Sequence, residues 1–205
     1  MTPADKYLIG LFYDLIKKKN KKLHSLLGDG LAPEQVEQTF SSLSLCVPDE
    51  VKYLFTLTNG YKAHNLTIGE ALLFDHGIPL SLEQAVNEWQ NQFQHGDPEL
   101  RMMLPIFENG GGDFLLVNCD PSSPDFKKIF IWSPPEIILE PVSIYSSLIS
   151  LFSTNIRCFM VRAYYYDSKQ LIIDDAKQYM EAVRLNRKCQ YWNDFSHLHI
   201  IDYPW

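Results

Sequence analysis

Apolar positions recur at helical spacing from the start of the chain. Leu8, Leu11, Phe12, Leu15 and Ile16 follow Thr2 and Pro3, residue types suited to an N-cap and a first helical position. The spacing predicts a first amphipathic helix of about four turns, which Gly28 and Gly30 bring to a break. A second short helix is predicted over 33–43, with Val36, Phe40 and Leu43 on one face. A third starts at Pro48-Asp49-Glu50, carries Val51, Leu54, Phe55 and Leu57, and stops at Asn59-Gly60, which tolerate a left-handed C-cap. The mostly apolar stretch 66–74 predicts one strand or two short ones. Ser81-Leu82-Glu83-Gln84 has capping-box spacing, and Leu82, Ala85, Val86 and Trp89 carry a helix to Phe93.

The centre of the chain changes period. Met103-Leu104-Pro105-Ile106-Phe107 runs into Glu108-Asn109-Gly110-Gly111-Gly112-Asp113 and out through Phe114-Leu115-Leu116-Val117. Asparagine and three glycines permit positive φ, so the chain can reverse sharply. The outgoing strand is apolar on both faces, as a central strand is. Residues 128–132 predict a further strand, and 136–139, fenced by prolines, an edge strand. Leu148, Leu151 and Phe152 open a long helix reaching Ala163 and carrying Phe159 inward. A last helix begins at Asp174 or Asp175, with Ala176, Met180 and Val183 on its apolar face, and ends near Asn186. The aromatic tail 191–205 is expected to dock on the body. The class is α+β: one domain with one core, a helical N-terminal region, a central sheet flanked by helices and a C-terminal helical extension.

Composition narrows the function. The 205 residues carry a formal net charge of −7, although five lysines cluster between Lys17 and Lys22. Setting those five aside leaves the rest at −12. A nucleic-acid binder needs cations spread along a groove, so nucleic acid is excluded as a partner, whereas a basic protein would be attracted and steered. The lysines suit a solvated helix C-terminus. The apolar stretch 7–16 contains Asp14 and precedes its lysines instead of following them, so neither an export signal nor a membrane span is expected. Cys46, Cys119, Cys158 and Cys189 show no CxxC spacing and are expected as buried thiols of a cytoplasmic protein.

Candidate chemistry is sparse. A phosphate-cradling glycine loop joins a strand to a helix, and in its ATP-binding form carries a Lys-Ser/Thr pair. Here Asp113 and a strand follow, so the turn is expected to be structural. His197 and His199, with Asp194 and Asp202 nearby, form the one arrangement that resembles a metal site, and a metal-dependent hydrolase using His197, His199 and Asp202 is the enzymatic alternative. His24, His64, His76 and His95 have no serine or cysteine nucleophile in a recognisable motif. The acid pairs Asp49-Glu50 and Asp174-Asp175 fall at predicted helix starts, where the dipole favours them. Trp89, Trp132, Trp192 and Trp205 lack interleaved basic residues, which favours core or protein contact over base stacking. No cofactor or metal is expected.

The segment 103–118, with Pro105, Gly111-Gly112-Asp113 and the apolar strand after it, resembles the hallmark of the SUKH superfamily, the Smi/Knr-type or cell-wall-assembly-regulator domain. Pro48 with its helix ending at Asn59-Gly60, the strand 128–132 before a proline, and Tyr145-Ser146-Ser147-Leu148 opening a long helix agree in order. The resemblance covers about 28–163, and the tail is similar to an extension found in some members. It departs in one place: Met103-Leu104 stands where an aromatic usually precedes the hallmark proline. It implies a mixed, mainly antiparallel sheet flanked by helices and no catalytic activity. Bacterial members are immunity proteins that bind secreted toxins, often nucleases or deaminases. Fungal members are scaffolding regulators, the third alternative, for which long disordered tails would be expected. The expectation is a monomer or weak dimer that binds a protein, such as a basic nuclease-type toxin, around Glu108, Asn109 and Asp113, with Asn59 on the nearby helix end and Trp132 on the neighbouring strand.

Overall fold

The computed structural model describes residues 1–62, 66–134 and 138–193. The N-terminal helices form where expected. α1 (Pro3–Lys19) starts at a Thr2–Asp5 capping box and ends on Lys17, Lys18 and Lys19, whose charge complements its C-terminus. α2 (Lys21–Leu26) follows, capped by Asn20. The glycine break at 28–30 is itself a short strand, β1 (Leu27–Asp29), after which come α3 (Pro33–Ser41) and α4 (Asp49–Leu57). The predicted stop at Asn59-Gly60 lies within β2 (Thr58–Tyr61), which pairs with β1. A Cβ on Gly28 would lie 2.3 Å from the Asn59 carbonyl oxygen and one on Gly30 1.9 Å from that of Thr56, so the two segments can approach only because both positions are glycine.

The strand expected over 66–74 is a correction. α5 (Ile68–Ala71) occupies it, opened by a capping box in which the Thr67 hydroxyl and backbone N–H donate to Glu70. Apolar content suggested a strand, but the local Thr-x-x-Glu hydrogen bonds favour a helical turn. β3 (Ile78–Pro79), α6 (Leu82–Glu88), a π-helical turn (Trp89–Phe93) and a 3-10 turn (Leu100–Met102) lead to β4 (Met103–Glu108), β5 (Phe114–Asn118), β6 (Ile129–Ser133) and β7 (Ile138–Tyr145). These strands form a five-stranded sheet in the order β3-β4-β5-β6-β7, with the wholly buried β5 at its centre. Every described pairing is antiparallel, the limiting case of the mainly antiparallel sheet expected. The β4–β5 pairing has a bulge between Pro105 and Phe107, and the short β3 adds a further bond to β4, Leu80 N–H to the Ile106 carbonyl.

Helices cover both faces. On one, Phe12 of α1, Phe74, Phe107 of β4 and Phe152 of α7 (Leu148–Met160) meet edge-on or tilted at 5.0–6.4 Å. On the other, Phe93 packs its edge on Phe114 and Trp132. One contiguous core results.

Beyond α7, a hairpin not anticipated from the sequence forms from β8 (Tyr164–Asp167) and β9 (Gln170–Ile173). α8 (Asp175–Asn186) then packs on α7: Asn186 donates to Thr154 and accepts from Ser150, and Arg157 pairs with Glu181 at 2.5 Å. Of the tail 191–205, the described residues end at Asn193. α9 (Gln190–Asn193) sits on β7, the Trp192 indole donating to the Ile144 carbonyl at 2.6 Å. No helix among the described residues is long and apolar enough to cross a membrane.

Candidate functional site

The turn between β4 and β5 is built by its own side chains. Gly110 and Gly112 take φ of 77° and 103°, which only glycine adopts without strain. Asn109 closes the loop, its Oδ1 accepting from the backbone N–H groups of Gly111 (2.7 Å) and Asp113 (3.1 Å). Its amide in turn donates to the Asp113 carboxylate. Asp113, 3% exposed, points inward and also accepts from the hydroxyl of Ser133 on β6. His76, at a positive φ of 57°, places Nδ1 3.8 Å from Asp113 and Nε2 3.7 Å from Asp75, whose other oxygen accepts from Gln178 of α8 at 2.8 Å. His76 thus lies between Asp113 of the turn and Asp75, which Gln178 joins to the C-terminal extension, with its buried Nδ1 in contact with Asp113 but not hydrogen-bonded to it.

The remaining candidates converge on the α6 face of the sheet. Glu108, Phe114 and Trp132 are register partners across β4, β5 and β6, so they share one face. Trp132 is half-buried against Phe93 and Phe114. Asn59 accepts from the Leu82 N–H at 2.7 Å, holding the first turn of α6 beside the hairpin. Glu108 is half-buried, and its carboxyl is held above the ordinary carboxylate range, first by lost hydration and second by the charge of Glu88. Among the described residues its carboxylate makes no ion pair or hydrogen bond.

A groove of about 210 Å3 opens beside this row. Ile68 of α5, Ile78 and Pro79 of β3, Gln84 of α6, Glu108 and Gly110 line it. Ile68, Ile78 and Gln84 were not anticipated: a half-exposed isoleucine in a four-residue helix carries no motif, and only the fold sets it against the turn. His76 and Ser133 were likewise missed, since no local pattern pairs either with Asp113.

Ser133 donates to Asp113 and not to a histidine, and at 0% exposure no substrate can reach it. No group of three His, Cys, Asp or Glu residues among the described ones could hold a metal ion. His197, His199, Asp194 and Asp202 lie outside the described residues, as do His64 and Trp205. Of the cysteines, Cys119, Cys158 and Cys189 are buried thiols, whereas Cys46 is exposed.

The family model described as SMI1 / KNR4 family (SUKH-1) matches residues 30–154, more than half of the chain. The match contains the hairpin, the groove and the five candidate partner-binding residues Asn59, Glu108, Asn109, Asp113 and Trp132, but not His197, His199 or Asp202. No curated protein matches the chain.

Proposed function

The chain belongs to the SMI1 / KNR4 family (SUKH-1), and from that membership we propose that it is a non-catalytic, protein-binding module of the immunity type that neutralises a secreted toxin by occlusion. The observation that carries this reading is the state of the hairpin. The polar side chains of Asn109, Asp113 and Ser133 are spent on one another, so the turn offers a stiff surface and no nucleophile–base pair. A preformed surface loses little entropy on binding, which favours affinity without chemistry. Glu108 and Asn109 form its rim; Asn59, Asp113 and Trp132 act on a partner through the elements they hold. The acidic balance of the chain favours a basic partner such as a nuclease, met in the cytoplasm by a monomer or weak dimer.

The test is capture by the tagged protein of products of adjacent genes, followed by assay of the captured toxin. A stoichiometric complex in which toxin activity is lost is expected. Absence of any protein partner, together with catalytic turnover of a small molecule, overturns the reading.

A further inference from the structure

The groove beside the hairpin has a particular chemistry. Ile68, 52% exposed, Ile78 and Pro79 give it apolar walls, and a Cβ on Gly110 would stand 3.0 Å from Ile68 and 3.4 Å from Ile78, so the turn and the two isoleucines are in contact. At about 210 Å3 it falls below the ~300–1,000 Å3 of sites for drug-sized ligands, a size suited to one side chain. Glu108 stands at its edge, and Glu88 lies one turn along α6 from Gln84. No lysine or arginine lines the groove among the described residues. A half-buried carboxylate has lost part of its hydration and, with Glu88 near, faces like charge. A cation offsets both losses. An anion would be repelled, and a neutral donor would offset the lost hydration but not the like charge.

Resting on the binding-module reading, we propose that this groove takes one arginine or lysine side chain of the protein partner, its methylene stem against Ile68, Ile78 and Pro79 and its cationic head at Glu108. The long basic side chains suit such a site because their stems are apolar and only their heads are charged. Arginine fits best, since its planar fork can grip a carboxylate with two hydrogen bonds. The partner's anchor is thus a basic residue projecting from its surface.

The probe is arginine capped as its acetyl methylamide, titrated into isotopically labelled protein by NMR, with equally capped citrulline as the neutral isostere. Saturable shifts at Gly110 and at the Ile68 and Ile78 methyls are expected, with a Kd on the order of a few millimolar. Citrulline should bind at least about fivefold more weakly, Glu108→Gln should weaken arginine by a similar factor, and Ile68→Ser by about twofold. Both variants alter exposed or half-buried positions and should stay folded, Glu108→Gln melting at or slightly above the parent temperature at pH 7. Equal binding of arginine and citrulline, shifts centred elsewhere, or full affinity in folded Glu108→Gln overturns the proposal. If a protein partner is captured equally by the parent and by Glu108→Gln, the groove proposal fails while the binding-module reading stands. If arginine binds in the groove but no protein partner exists, the groove stands and that reading fails.

Discussion

Two hairpins of this protein, β4–β5 and β8–β9, reverse the chain by opposite means. Between β4 and β5 the turn spends three glycines and an asparagine, and its hydrogen bonds are supplied from within, by Asn109 and Asp113. Between β8 and β9 only Ser168 and Lys169 make the turn, both at positive φ (47° and 82°) and neither a glycine. Each such residue costs about 1–2 kcal/mol in that region. The second hairpin is therefore held from outside. Tyr164 is buried edge-on against Phe159, Tyr166 stacks on Phe159, and the Tyr166 hydroxyl reaches the Leu72 and Leu73 carbonyls at 3.3 and 3.4 Å. A turn that is self-sufficient can present a surface to a partner. One that depends on its docking surface serves instead to fasten the extension to the core.

The contrast can be broken most forcefully at Asp113. Replacing it by alanine leaves the Ser133 hydroxyl and the Asn109 amide without their acceptor in a buried place, and the loss should be about 3 kcal/mol. Urea unfolding followed by tryptophan fluorescence measures it. A loss under about 1 kcal/mol would mean that the turn does not hold itself.

Tyr166→Phe probes the other hairpin. Loss of its hydroxyl contacts to Leu72 and Leu73, just after α5, should cost about 1 kcal/mol, and hydrogen exchange should quicken across β8 and β9 while β4 and β5 keep their protection. Equal changes in both hairpins would show that they are not supported separately. Lys169→Gly, in turn, should stabilise by about 0.5–1 kcal/mol, because glycine takes positive φ without penalty. A destabilisation there would place the strain elsewhere.

The smallest effect belongs to Glu108. Its folded-state pKa lies above the ordinary value, so the folded protein binds this proton more tightly than the unfolded chain does. At neutral pH both states are ionised and the folded state carries the cost of the charge. As pH falls through the raised folded value toward the unfolded one, that cost disappears. Glu108→Gln should therefore stabilise by no more than about 0.5 kcal/mol at pH 7, with the gain fading below about pH 4. Thermal melts at both pH values test the sign.

Much of the fold was legible because its signals are local. Thr2-Pro3, Ser81 with Gln84, and Asp174 open helices by hydrogen bonds reaching three residues along the chain. Gly110 and Gly112 mark their turn because few other residues take those φ values. The errors have the same origin. The apolar run at 66–74 hid a capping box, and the β8–β9 turn carries no glycine or asparagine, so nothing nearby announced it. Its stability comes from Phe159, Leu72 and Leu73.

The sequence by itself determined the class, the central strand and the sharp turn, since helical and strand periodicity and glycine conformation act within a few residues. The candidate site was half visible: Glu108 and Asn109 could be placed at the hairpin, but what their neighbours would be could not. Only the tertiary structure turned Asp113 inward onto Ser133 and beside His76, brought Ile68 and Ile78 against Gly110, and left Glu108 at the edge of a groove that no cation among the described residues lines. Those contacts join residues 20 to 42 positions apart, and a pairing over such distances follows from how sheet and helices pack, which no short stretch of chain encodes.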